Sequence, residues 1–376
     1  MAVYKIFPEK DTTIYSEFPN TNTGLDPILE VKNTSMGLTK DPQVARALIK
    51  FSSSEMIKAT NIISSTVVGT SPSLSPAPIG LYSASLKLFI SDTNNLPDNY
   101  DLYCYAVSQS WQAGTGKYLF DPPYTQDCTW YNRETGTFWA TSSLLPDTTM
   151  SFLPNNPGGG SWFTTYLGSQ SFEINTTKDT NIDVTPIVET FNSFLFIENN
   201  GFILKFDDQY EFNTSSSYSL KFFSRDTHTI YAPQLEFRWD DSVYNTGSLT
   251  LLTDQNIAIT LGNNLGSYTS DSVCQFRVNA RPIYPPRQFN TVSVFTLNSA
   301  LPSSSYYAIQ DLDTEEYVVD FNEEHTKVSC DTAGNFFTLY TAGFQPERYY
   351  KILIKSTFNN GSSVIYDNDY IFKINK

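Results

Sequence analysis

The chain has 376 residues, more than one hydrophobic core usually serves, so two domains are expected. It carries 39 acidic against 24 basic residues, and the resulting formal charge of −15 repels nucleic-acid phosphates and anionic membrane surfaces. Aromatics are 15% of the residues, led by 27 Phe and 24 Tyr amid abundant Ser, Thr and Asn, a composition that favours strands over helices. Charged residues are only 17%, so neutral polar groups, tyrosine rings and partner subunits are expected to cover much of the surface. The first ten residues hold no apolar signal segment, and no run of about 18 apolar residues occurs, so neither secretion by a cleaved signal nor membrane insertion is expected. Cys104, Cys128, Cys274 and Cys330 form no CxxC unit and read as free thiols of a reducing compartment, with a Cys104–Cys128 bridge as the alternative.

Apolar residues recur with period two from end to end, the mark of half-buried strands. Leu86, Leu88 and Ile90 flank Lys87; Phe202, Leu204 and Phe206 alternate with Ile203, Lys205 and Asp207. Leu235, Phe237 and Trp239 alternate with Glu236, Arg238 and Asp240, and Tyr350, Ile352 and Ile354 with Lys351, Leu353 and Lys355. Asn360-Gly361 supplies a type I′ turn from that last strand into another around Tyr370, Phe372 and Ile374. One short helix is expected, over Asp183 to Phe196. There Val184, Ile187, Val188 and Phe191 share a face, Pro186 suits the first turn, and Asp183 or Thr185 can cap it.

Irregular insertions separate the strands at residues 64 to 80, 112 to 127 and 146 to 161. Long loops of this kind often carry function, and contact surfaces are expected on them. Composition shifts near Asp240-Asp241, and a proline-rich stretch from Arg281-Pro282 to Pro285-Pro286 suggests a stiff crossing. The expected organisation is a sandwich over 1–240, a linker with one or two strands over 241–286, and a small Ig-like sandwich over 287–376.

The order of short motifs in residues 1–240 resembles the DNRLRE family of jelly-roll β-sandwiches. It begins with Lys10-Asp11-Thr12-Thr13-Ile14-Tyr15, Pro19 to Gly24, Leu29-Glu30-Val31 and Ala47-Leu48-Ile49-Lys50-Phe51. It continues through Ala84 to Leu88, Leu102 to Val107 with Trp111, Cys128-Thr129-Trp130-Tyr131-Asn132, Ile182 to Thr185 and Asn200-Gly201-Phe202. It ends in Phe223-Ser224-Arg225-Asp226 and Pro233 to Phe237, where Asp226 stands in place of the family's usual Glu and the insertions are longer than usual. The start Met1 to Pro8 and the stretch Phe344 to Lys355 look like structural proteins of marine, cyanophage-type tailed phages. The resemblance implies a jelly-roll sandwich in a virion protein of the tail, neck or collar, made in the host cytoplasm and docked to other virion proteins in a symmetric assembly.

The residues have their own reasons to be there. Gly24 and Gly201 end Asn-rich turns that need left-handed backbone, Trp111 and Trp130 are expected in the core, and Arg225 beside Asp226 reads as an ion pair or strand-end clamp.

Catalytic apparatus is not legible, so the chain is read as non-enzymatic, with no cofactor and no metal. His228 and His325 are expected at the surface, and Gly158-Gly159-Gly160 lacks the lysine and helix of a phosphate loop and reads as a flexible tip. Asp311, Asp313, Glu315 and Glu316 resemble a calcium loop without its glycine, while Asp207-Asp208 and Glu323-Glu324 read as solvated edge charges. Tyr118, Phe120, Tyr124, Trp139, Trp162, Phe163 and Tyr166 are expected as exposed insertion aromatics, serving either as protein-interface anchors or as platforms for a host-surface glycan.

Overall fold

The computed structural model describes residues 2–37, 41–67, 80–140, 148–153, 156–173, 179–192, 197–285 and 298–376. In chain order these form β1 (Ala2–Ile6), β2 (Pro8–Tyr15), β3 (Ile28–Thr34), β4 (Gln43–Phe51), α1 (Ser53–Val67), β5 (Tyr82–Leu88), β6 (Ile90–Asn94) and β7 (Asn99–Val107). Next come β8 (Asn132–Glu134), β9 (Thr137–Phe138), β10 (Thr148–Leu153), β11 (Asn156–Glu173), β12 (Thr180–Asp183), α2 (Thr185–Asn192), β13 (Phe202–Phe206), α3 (Asp208–Glu211), β14 (Tyr218–Phe223) and β15 (Gln234–Trp239). The last are β16 (Ile257–Gly262), β17 (Ser267–Thr269), β18 (Val273–Pro282), β19 (Ser305–Asp311), β20 (Tyr317–Val319), β21 (Ser329–Asp331), β22 (Gly334–Tyr340), β23 (Tyr349–Thr357) and β24 (Ser363–Asn375). The protein is an all-β sandwich protein, as its composition implies. Among the described residues no helix is long and apolar enough to cross a membrane.

Two compact units divide the chain: Ile6–Ile62 with Pro72–Glu236, and Met1–Lys5 with Ile63–Ser71 and Phe237–Lys376. The first unit is built on a nine-stranded sheet in the order β10-β11-β7-β13-β4-β3-β14-β6, with β2 added to β4. Both faces of this sheet are covered. On one, Ile14, Val44, Leu48, Val107 and Ile203 pack with Trp111, Cys128, Trp130 and Trp139 from the loops after β7. On the other, Phe191 of α2 meets Phe202 edge to face at 5.7 Å. This cover corrects the half-buried expectation for β13, whose five residues are all buried, Lys205 included.

The second unit pairs a sheet in the order β16-β18-β22-β21 with one in the order β17-β24-β23-β19-β20. Between them lie Phe276, Val278, Tyr307, Ile309, Phe337, Tyr350, Ile352, Ile354 and Phe372, and Val3 joins the same core. The expected linker over 241–286 is therefore corrected: β16, β17 and β18 are strands of this sandwich, because Ile257, Ile259, Phe276 and Val278 bury their apolar faces in its core. Pro282 is paired opposite Ile257 at the end of β18, so this proline does not exclude regular pairing; Pro286 lies outside the described residues.

The helix expected after Asp183 is α2. Ile187, Val188 and Phe191 are buried along it, and the Thr185 N–H donates to the Asp183 carboxylate at 2.9 Å. Two further helices, α1 and α3, add to the one expected. In α1, Met56, Ala59 and Ile63 form the buried stripe at helical spacing. The hairpin from β23 to β24 forms, but only Gly361 has positive φ, so its turn is not type I′. Phe358 N–H instead donates to Ser362 across a longer loop at 2.8 Å.

Candidate functional site

The insertion over residues 112 to 127 is held in place by one buried amide. Asn22 donates Nδ2–H to the carbonyls of Ala113 at 2.6 Å and Cys128 at 2.7 Å, and its Oδ1 accepts from Gly24 at 3.2 Å and Gly116 at 2.8 Å. All four hydrogen-bonding positions of the amide are thus used. The Asn22 backbone N–H also donates to the Tyr124 carbonyl at 2.8 Å. Gly24 is needed here for close approach rather than for left-handed backbone, since a Cβ there would sit 2.2 Å from the Ala113 oxygen. Gly201 does adopt positive φ, at 90°.

On this anchored loop a ridge of apolar side chains stands in solvent. Leu119 is 88% exposed and Phe120 46%, flanked by exposed Tyr118, Phe18 and Leu25. Tyr118 packs against Tyr15 at 4.9 Å and edge-on against Phe18 at 5.5 Å. Its backbone N–H donates to the Asp26 carboxylate at 3.0 Å, and Leu25 N–H donates to Gly116 at 3.0 Å. Partial burial and the carboxylates of Glu17, Glu30 and Asp26 together push the Tyr118 phenol above its usual pKa. Glu17 is paired with Lys32 at 3.0 Å, and burial raises the Asp26 carboxyl against the opposing charge of Lys117, so the rim carries both signs of charge.

The seven expected aromatics separate. Tyr118 and Phe120 belong to the ridge, and Tyr124 and Tyr166 are partly exposed. Trp139, Trp162 and Phe163 are buried at 3%, 5% and 6% exposure, which corrects their reading as exposed platforms. Trp162 and Phe163 lie on β11, within the sheet, and the segment after β9 turns Trp139 onto the same core. Trp139 Nε1 donates to the Thr129 carbonyl at 3.1 Å, and Trp162 lies in the core beside Trp130. Trp111 is buried as expected, its Nε1 donating to the Asn200 carbonyl at 2.8 Å.

Beneath the same loops lies a buried charge cluster that the period-two pattern concealed. Arg46 Nε and Nη2 donate to the two oxygens of Glu211 at 2.6 and 2.9 Å, and Lys205 Nζ reaches Glu211 at 2.9 Å. Arg46 Nη1 donates to the Gly159 carbonyl at 2.7 Å, and its guanidinium lies 5.2 Å from the Trp130 ring and 5.1 Å from that of Trp162. Arg46 and Glu211 are at most 1% exposed, so this is a desolvated clamp with no opening for substrate at its centre. It also explains Gly158-Gly159-Gly160, which is no flexible tip: a Cβ at Gly159 would meet the Trp130 ring at 2.6 Å. Lys205 inside a run of Phe, Ile and Leu was the available sequence signal for this cluster.

The remaining polar candidates are also placed. His228 is exposed as expected, whereas His325 is buried at 9% exposure, within the turn that Thr326 closes onto Asn322, which corrects its surface reading. Asp311 is gripped by Arg348 through two hydrogen bonds of 2.6 Å and by the N–H groups of Asp313 and Thr314, which hold its carboxyl below the usual range despite partial burial. A carboxylate so occupied does not serve as a calcium ligand. Among the described residues no three His, Cys, Asp or Glu side chains converge as metal ligands. Asp207 caps α3, accepting from the Asp208 N–H at 2.8 Å, and Asp208 pairs with Lys205. Arg225 does not need Asp226 as its partner. Its guanidinium reaches the Glu9 carbonyl, and its N–H donates to Asp11 at 2.6 Å, a strand-end clamp. The four cysteines are buried free thiols, and burial pushes those of Cys104 and Cys128 far up.

No family profile and no curated protein matches the chain. Among solved structures it is similar to a DUF4785 family protein from Legionella pneumophila, at 9% identity and a TM-score of 0.19 over 100% of this chain and 62% of that one. It is also similar to a beta-1,2-glucanase from Parabacteroides distasonis, at 8% identity and a TM-score of 0.17 over 100% of this chain and 39% of that one. The chain spans less than two thirds of the length of either neighbour.

Proposed function

We propose that the chain is a non-enzymatic structural protein of a tailed-phage particle, a tail, neck or collar component assembled in the host cytoplasm. In this reading its first unit is a jelly-roll sandwich of the DNRLRE type and its second an Ig-like sandwich. The observation that carries the docking role is the ridge of Phe18, Leu25, Tyr118, Leu119 and Phe120, held outward by Asn22 on an otherwise buried scaffold. Apolar side chains fixed in this way lose little entropy on association, and the mixed charges around them set the orientation of the partner. The partner is a neighbouring virion subunit with an apolar pocket. Two resemblances in the sequence support the setting: the ordered motifs of residues 1–240, and the stretches Met1 to Pro8 and Phe344 to Lys355.

Mass spectrometry of purified particles of the parent phage is the first test, and a particle lacking the chain sinks the proposal. Cross-linking within the particle is the second. Links from Lys117 to another subunit are expected, and their absence, with links confined to other faces, removes the ridge as the docking surface.

A further inference from the structure

The second unit carries a cleft of 340 Å³ on the outer face of its five-stranded sheet, lined by residues that include Gln310, Tyr317, Lys351, Leu353, Ile365 and Asp367. Leu353 belongs to its lining, on the face opposite the inner one that its neighbours Ile352 and Ile354 supply. Tyr317 rises on one side, 45% exposed and opposite Gln310 on the edge strand, with the Phe321 ring 6.0 Å behind it. Ile365, 51% exposed, forms an apolar part of the lining.

The polar end is built by a bulge. Ile352 pairs with Tyr370 and Ile354 with Tyr366, so β24 inserts Asp367, Asn368 and Asp369 between them, with Asp369 at φ 52°. Bulges re-aim side chains, and here the Asp367 carboxylate meets Lys351 Nζ at 2.7 Å. Gln310 is held in the lining by its own donation to the Glu315 carbonyl at 2.7 Å.

We propose that this cleft is a carbohydrate subsite for a single pyranose ring. A pyranose presents a face of C–H groups and a ring of hydroxyls. Tyr317 supplies the flat apolar platform for the first, with Leu353 and Ile365 completing an apolar surface. Lys351 and Asp367 supply a donor and an acceptor side by side, at about the spacing of adjacent hydroxyls on a sugar. The volume lies at the small end of ligand sites, which run from about 300 to 1,000 Å³. Phosphorylated ligands are disfavoured, because Asp367, Asp369 and Glu315 surround the one lysine. The assignment is independent of the virion reading.

The test is saturation-transfer NMR on the full chain with the methyl glycosides of glucose, galactose and mannose and with N-acetylglucosamine. At least one is expected to bind with a Kd of about 1–10 mM. Tyr317→Ala and Asp367→Asn should each weaken it by about tenfold, while Tyr317→Trp retains it. Both positions are at the surface, and unchanged thermal midpoints confirm that the variants fold. No transfer to any of the four sugars, or binding that both Tyr317→Ala and Asp367→Asn leave intact, overturns the proposal. Absence of the chain from the particle would remove the virion reading and leave this result standing.

Discussion

The Gly116 N–H donates to Asn22 Oδ1 at 2.8 Å across 94 positions of sequence, and that bond places the exposed ridge. Asn22 is fully buried, and the same side chain closes on Ala113, Cys128 and Gly24. Replacing it strands several buried backbone groups at once. Asn22→Ala is expected to cost about 3 kcal/mol or more, and Asn22→Asp a similar amount, since a carboxylate faces two carbonyl oxygens where an amide donated. Urea unfolding measures the loss. Limited proteolysis should cut first between residues 112 and 128 in both variants.

Asp11 makes stability depend on pH in an unusual direction. Burial, opposed by the Arg225 N–H and reinforced by Asp226, raises its carboxyl from 3.8 to about 7. The folded state thus holds this proton more tightly than the unfolded one. Its contribution is complete below about pH 4 and is lost as the pH rises through about 7. Asp11→Asn keeps an acceptor for the Arg225 N–H and removes the titration. The variant should therefore gain stability relative to wild type between pH 4 and pH 8, read as the difference between their unfolding midpoints.

Glu211 neutralises two buried cations, Arg46 and Lys205. Removing it alone leaves Arg46 uncompensated and Lys205 with only the exposed Asp208, and Glu211→Gln is expected to destabilise the first unit by about 3–5 kcal/mol. Replacing all three with apolar residues, as Arg46→Met, Lys205→Met and Glu211→Leu, should recover most of that loss. Denaturant titration of the single and triple variants distinguishes a clamp from a group needed for other reasons.

The ridge behaves oppositely. Leu119 and Phe120 contribute little to the fold, so Leu119→Asp and Phe120→Asp should shift stability by no more than about 0.5 kcal/mol. Incorporation of the chain into particles should nonetheless fall by an order of magnitude or more, as an apolar anchor at an interface commonly contributes about 2 kcal/mol. Quantitative mass spectrometry of particles from complemented infections reads both variants.

Legibility in the sequence followed how local each cause was. α2 was legible because its capping Asp183 and its stripe of Ile187, Val188 and Phe191 lie within three turns. α1 was not, because SSEMIKATNIISSTV is rich in Ser, Thr and Ile, residues with weak helix preference, and packing of Met56, Ala59 and Ile63 overrides that preference. The insertion aromatics were found as a set, but Tyr118 and Trp162 have the same claim to exposure in sequence. Only the tertiary structure, which leaves Tyr118 on an anchored loop and pairs Trp162 on β11 with Val107, sends one outward and the other beneath Arg46.

Alternation and composition by themselves determined that this chain is a protein of β-strands, because the side-chain period of a strand is written in neighbouring residues. Tertiary structure decided the rest. It drew β16, β17 and β18 into a sandwich, buried an ion cluster inside an apolar run, and chose which rings meet solvent. Those outcomes depend on partners such as Arg46 and Glu211, 165 positions apart, and no local pattern specifies which distant group will arrive to satisfy a buried charge.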